Sequence, residues 1–211
     1  MWATVYALAG QLADQLRPAC ARIEIAGSLR RQSENPRDIE LVAISHPEDT
    51  SEVVRDMFGD VVATIQTTPL EDAVFELTDW ELDRVIRRNG PRYKRLRSTQ
   101  SRNYVGDYVA CDLFIVRPPA TWGVIYTIRT GPADFSQALV TRALQMGLKV
   151  DGGQLWKLHR DGRREALLTP EESDFFAILG LPWLEPQART IEMLTRVAAG
   201  RHAGADKGGL R

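Results

Sequence analysis

Three acids stand inside runs that otherwise read as buried strands. Asp38 and Glu40 sit two apart in Asp38-Ile39-Glu40-Leu41-Val42-Ala43-Ile44, and Asp112 sits alone in Ala110-Cys111-Asp112-Leu113-Phe114. Residues two apart on a strand project from the same face, so Asp38 and Glu40 point the same way. Two like charges in an apolar strand are costly unless a cation lies between them or the strand is a solvated edge. A hard divalent ion such as Mg²⁺ takes oxygen ligands and leaves positions open for substrate phosphates. With Asp112 on a neighbouring strand, the set becomes a three-carboxylate site able to hold two ions about 3.5–4 Å apart for an in-line phosphoryl displacement. The chain must then build a sheet in which these two strands are adjacent.

Just ahead lies Gly27-Ser28-Leu29-Arg30-Arg31. Glycine lets backbone N–H groups come close to a phosphate, and a hydroxyl and two arginines follow at once. Alone, a Gly-Ser pair signals nothing. Followed by the paired carboxylates, it points to phosphate chemistry, against the plainer reading of a surface loop beside a solvated edge strand.

Length and composition bound the rest. The 211 residues are 44% hydrophobic, enough for one large domain or two small ones. Roughly 70% of the surface of the unfolded chain is buried at this size, so no disulfide or metal is needed to hold a core. Cys20 and Cys111 form no Cys-x-x-Cys, and His46, His159 and His202 are scattered; both thiols are expected to be reduced and buried, with no zinc cluster. No apolar run approaches the ~18 residues of a membrane span and the N-terminus has no leader pattern, which predicts a cytoplasmic protein with no membrane partner. The net charge of −1 gives no overall bias toward nucleic acid. Of the 27 cations, however, only Lys94, Lys149, Lys157 and Lys207 are lysines. Arginine suits bidentate phosphate contacts, and the bias is equally consistent with genomic composition.

Along the chain, Val5, Leu8, Ala9, Leu12 and Leu16 have helical spacing that Pro18 ends. Strands are predicted at 22–25, 38–44, 61–67 and 108–116, a helix near 52–57, and an acidic loop over 71–88 leading into a short helix around Leu82, Val85 and Ile86. Past Pro118-Pro119 the pattern changes: a helix over 132–146, a hairpin turn at Asp151-Gly152-Gly153, and a helix start at Thr169-Pro170-Glu171-Glu172 with Thr169 as cap and Glu172 closing a capping box. Trp122, Trp156 and Trp183 are read as core residues of this second region. The predicted fold is α+β, with domains at 1–119 and 120–199 and a disordered tail over 200–211.

At these residues the chain resembles the nucleotidyltransferase superfamily, and within it the family X DNA polymerases. Gly27-Ser28-Leu29-Arg30-Arg31 through Asp38-Ile39-Glu40 is similar to that family's Gly-Ser-x-Arg-Arg and Asp-x-Asp signature, and Asp112 to its third aspartate. Gly123-Val124-Ile125-Tyr126 and Thr130-Gly131-Pro132 resemble the segment with the nucleotide-binding Thr-Gly-Ser turn, and Glu185-Pro186 the C-terminal Glu-Pro. The resemblance covers roughly residues 5 to 190. It implies a palm, a mixed sheet with helices on one face, followed by a small α/β thumb, in a reduced form without lyase or fingers domains and with weak template selection. It further implies that Asp38, Glu40 and Asp112 bind two Mg²⁺ or Mn²⁺ ions, that Asp112 helps activate the primer 3′-hydroxyl, and that Gly27, Ser28 and Arg31, with Thr130 and Gly131, bind the nucleotide. Arg30 is the weaker of the two arginines. Three positions depart from the pattern: Glu40 replaces an aspartate, Ile128-Arg129 replaces the aromatic pair that excludes the ribose 2′-hydroxyl, and Pro132 stands where a serine usually follows the glycine.

The run from Arg84 to Arg102 holds eight cations and no acid. Basic runs are usually solvated faces, but this one leads into the Asp112 strand and resembles the family's Lys-Tyr hairpin. Arg92, Lys94 and Arg95 are therefore candidates for DNA-backbone contact, with the acids of 71–83 read as a solvated flank. The function expected is a metal-dependent DNA polymerase, a monomer adding nucleoside triphosphates to a gapped or primer-template end in gap filling or end joining. A nucleotidyltransferase acting on RNA, a protein or a small molecule, and a non-catalytic DNA-binding protein of the same fold, remain the alternatives.

Overall fold

Apolar residues alternate with polar ones along the central strands of the chain, and the alternation sets which side of the sheet is covered. A computed structural model describes residues 2–47, 50–83, 89–102 and 107–205. They divide into two compact units, the first comprising 1–25 and 34–115, the second 26–33 and 116–211.

The first unit opens with helix α1 (Trp2–Leu16), which buries Val5, Ala9, Leu12 and Leu16, and β1 (Cys20–Ile25) follows. Its remaining elements come after the short α2 (Gly27–Arg30) of the second unit: β2 (Ile39–Ser45), β3 (Thr50–Arg55), β4 (Val61–Thr67), α3 (Pro69–Phe75), β5 (Trp80–Leu82), β6 (Tyr93–Arg102) and β7 (Tyr108–Ile115). Five strands form one mixed sheet in the order β1-β2-β7-β6-β5. The β2–β7 pair is parallel; β1–β2, β7–β6 and β6–β5 are antiparallel. Ile39, Leu41, Ala43, Cys111, Leu113 and Leu96 are wholly buried on the face against which α1 packs. This is the expected mixed sheet with helices on one face. Both cysteines are free and buried.

Residues 50–55, where a helix was expected to begin, form a strand paired with β4. The β-branched Val53, Val54, Val61 and Val62 favour a hairpin, and Asp56 fixes its turn by accepting from the backbone N–H groups of Phe58 and Asp60 at 2.9 and 3.0 Å. The acidic segment holds α3, capped by Thr68, and β5. Residues 84–88, which hold most of the predicted short helix, lie outside the described residues.

The second unit contains α4 (Trp122–Thr130), α5 (Ala133–Gln145), β8 (Leu148–Asp151), β9 (Gln154–Leu158), β10 (Arg164–Leu167), α6 (Glu172–Ile178) and α7 (Ile191–Ala205). The order β10-β9-β8 gives a small antiparallel sheet, with Gly152 and Gly153 forming the expected hairpin turn at positive φ. Phe135, Leu139, Leu155, Phe175 and Phe176 are among the fully buried residues of its core. α6 starts later than expected: Glu171 is the cap, in a capping box with Asp174. Thr169 is instead buried, its hydroxyl 2.5 Å from that of Thr121. The reason is Gly123, whose N–H donates to the Thr169 carbonyl at 3.0 Å and where a Cβ would meet the Glu171 carbonyl oxygen at 2.2 Å. Close approach of α4 thus holds 169–171 extended.

Of the three tryptophans, only Trp122 is core. Trp156 is half-buried beneath the Arg164 guanidinium, 4.7 Å from its ring centre, and Trp183 is 41% exposed. α7 runs through Gly200 to Ala205, so helix occupies the start of the expected tail, and residues 206–211 lie outside the described ones. No helix among the described residues is long and apolar enough to cross a membrane.

Candidate active site

In the first unit the parallel register places Glu40 of β2 directly beside Asp112 of β7. Asp38 lies immediately ahead of β2, and Asp112's charge reaches it: burial first, and then Asp112, raise the Asp38 carboxyl above its ordinary range. The buried Cys111 thiol registers all three acids. Burial, then Asp112, Asp38 and Glu40, push it well above the usual thiol value. The structure therefore sets Glu40 beside Asp112 on adjacent strands and leaves Asp38 just ahead of β2, within electrostatic reach of Asp112.

Asp112 has partners of its own. Its Oδ1 accepts from the Tyr93 hydroxyl at 2.6 Å and from Arg95 Nη1 at 2.7 Å, because β6 places Arg95 opposite Asp112. The donor set, all carboxylate oxygen, fits hard divalent ions. As folded, the described residues gather no three histidine, cysteine, aspartate or glutamate side chains into an ion-holding group, and Asp112 is engaged by β6.

Among the described residues of the basic run, Lys94, Arg95 and Arg97 are ion-paired within the protein. Alternation along β6 sends Lys94 to the covered face, where it is 7% exposed and its Nζ lies 2.9 Å from Glu71 Oε1. Arg95 takes Asp112, with Asp83 Oδ2 at 3.8 Å from its Nε, and Arg97 pairs with Glu81 across β5–β6. Lys94 and Arg95 are thus paired with carboxylates of the protein itself; the acidic segment contributes Glu71 and, at longer range, Asp83, while Glu76, Asp79 and Glu81 are exposed, as expected of a solvated flank. The signal lay in the sequence as two facing segments of opposite charge. Arg92 is exposed ahead of β6. Arg84, Arg87 and Arg88 lie outside the described residues.

All five nucleotide-contact candidates, Gly27, Ser28, Arg31, Thr130 and Gly131, belong to the second unit. Gly27 has φ +61, a left-handed conformation that glycine adopts without strain. The Ser28 hydroxyl is buried with no hydrogen-bond partner in the structure. Arg31 Nη1 donates to the Thr130 carbonyl at 2.5 Å, so the structure brings the Gly-Ser turn and the Thr-Gly turn together.

Arg30 has a larger structural role than the sequence indicates. It donates to Thr130 Oγ1 at 2.8 Å and, bidentately, to Glu172 Oε1 and Oε2 at 2.9 and 2.7 Å, while its guanidinium lies 3.8 Å from the Tyr126 ring centre. Glu172 also receives Arg189, 1% exposed, at 2.7 and 3.0 Å. Burial alone would raise the Glu172 acid, but the hydrogen bonds from Arg30 and Arg189 outweigh it and hold it down to about 2. No local pattern marks Arg189 or pairs Glu172 with Arg30.

With the geometry in place, comparison with known proteins adds one finding. Residues 126–190 match the family model of the DNA polymerase beta thumb, a stretch that runs from Tyr126 of α4 past Arg189. That stretch of the second unit is similar to the thumb of DNA polymerase beta. No curated protein matches the chain.

Proposed function

We propose that the chain is a metal-dependent DNA polymerase of the family X kind. The observation that carries the reading is the β2–β7 register, which sets Glu40 beside Asp112, with Asp38 just ahead of β2, in a chain whose residues 126–190 match the DNA polymerase beta thumb. Asp38, Glu40 and Asp112 would hold the ions. Two divalent ions, when bound, supply the positive charge that a phosphoryl displacement needs. Gly27, the orphaned Ser28 hydroxyl and Arg31 would receive the triphosphate, and Thr130-Gly131 would support the nucleotide beside them. The primer 3′ oxygen then bonds to the α-phosphorus as the bond to the β-phosphate oxygen breaks, pyrophosphate leaves, and the hydroxyl proton is lost to solvent. Arg92 is the DNA-contact candidate that the fold leaves exposed.

The acceptor decides between this reading and a transferase for other acceptors. Labelled deoxynucleotides offered with Mg²⁺ or Mn²⁺ to gapped DNA, recessed DNA, RNA and protein should enter DNA 3′ ends. Incorporation into RNA or protein alone, or none under either metal, contradicts the proposal.

A further inference from the structure

Asp112, assigned above to a metal ion, already lies against a cation of the protein's own. Arg95, Asp112 and Glu40 form one row across β6, β7 and β2. Both the Arg95 guanidinium and the Tyr93 hydroxyl donate to the same Asp112 oxygen, Oδ1, which also makes it the atom at which an incoming ion meets competition. The arginine is held in register by more than strand pairing. Its N–H donates to Asn89 Oδ1 at 2.7 Å, the Asn89 amide donates to the Asp83 carbonyl at 2.9 Å, and the Asp83 N–H donates back to the Arg95 carbonyl at 2.9 Å. Asp83 also sets a second carboxylate near the guanidinium, at 3.8 Å. Arg95 thus has an alternative counter-ion when Asp112 is drawn away.

We propose that Arg95, assisted by Tyr93, is a positioning residue for Asp112: a resident counter-charge that holds the third carboxylate in place and that a divalent ion must displace before Asp112 can ligate. The inference rests on the reading of Asp38, Glu40 and Asp112 as ion ligands. Glu40 and Asp112 side by side, with Asp38 within reach of Asp112's charge, repel one another, and a single guanidinium offsets part of that charge without closing the site to a doubly charged competitor. The same contact orients Asp112 along the row before the ion arrives.

Mn²⁺ binding to the full chain without nucleotide or DNA, followed by electron paramagnetic resonance of free Mn²⁺, tests this separately from activity. Arg95→Gln removes the competing charge and should tighten Mn²⁺ binding about tenfold. Arg95→Lys, which keeps the charge, should bind close to wild type, and Tyr93→Phe should tighten binding about threefold by removing one donor from Oδ1. In primer extension the Mn²⁺ concentration for half-maximal rate should fall in Arg95→Gln while the maximal rate also falls, because Asp112 is no longer oriented. Unchanged or weaker binding in Arg95→Gln, with binding still lost in Asp112→Asn, overturns the counter-charge role and leaves the polymerase reading standing. Binding that Asp112→Asn does not affect, or no binding in any form, overturns both. If Arg95→Gln does not fold, Tyr93→Phe decides, and unchanged binding there overturns the proposal.

Discussion

Glu172 joins two arginines from distant stretches of chain inside the second unit. It is 5% exposed and receives two bidentate guanidiniums, Arg30 and Arg189. Its acid is held near 2 against an ordinary value of 4.5. A depressed acid contributes stability that is complete above its unfolded value and is lost as pH falls through the folded one, so this contribution, about 3 kcal/mol, should fade between roughly pH 4.5 and 2. Glu172→Gln keeps the shape and removes the charge; it should cost about 3–5 kcal/mol near neutral pH and much less near pH 2, as read by denaturant unfolding at each pH. At this scale the sequence is legible where chemistry is local. Gly27, Ser28 and the three carboxylates announce themselves by type and spacing. Glu172 does not, because Arg30 is 142 residues away and nothing in either segment encodes the meeting.

Two segments share a Thr-Pro-x-Glu pattern, at 68–71 and 169–172, and only the first uses it as a cap. Thr68 Oγ1 accepts from the Glu71 N–H at 3.3 Å and α3 begins at Pro69. The second is drawn straight by the Gly123–Thr169 hydrogen bond, so the helix starts beyond it. Local signals fix what an element can begin with, and tertiary contacts choose where it does. Strands show the same division. Alternation made β2 and β7 legible, and along β6 it separates Lys94 and Leu96, on the covered face, from Tyr93, Arg95 and Arg97. What composition suggested was a basic surface is therefore split, with Lys94 paired to Glu71 in a largely buried site. Lys94→Ala leaves that carboxylate without its counter-charge and should destabilise the protein by about 3 kcal/mol, with DNA affinity of the folded fraction unchanged. Thermal unfolding and a DNA-binding titration on the same sample check both halves.

Across the whole molecule the net charge of −1 conceals local pairing, in which Lys94 meets Glu71 and Arg97 meets Glu81. The sequence order hides one aspect of the organisation: residues 26–33 lie between two strands of the first unit yet belong to the second, together with the 126–190 stretch that matches the DNA polymerase beta thumb. The phosphate-turn candidates and the thumb-related segment thus form one body, while the carboxylates stand in the other, and contact between distant stretches of chain, invisible to spacing, makes that division. The central claim is that Asp38 and Asp112 support nucleotide transfer to a DNA 3′ end. Primer extension by the full chain with Mg²⁺ or Mn²⁺ tests it most directly. The account predicts that wild-type protein extends the primer and that Asp38→Ala and Asp112→Ala each lose about a thousandfold or more in rate; extension left unchanged by either substitution would contradict it.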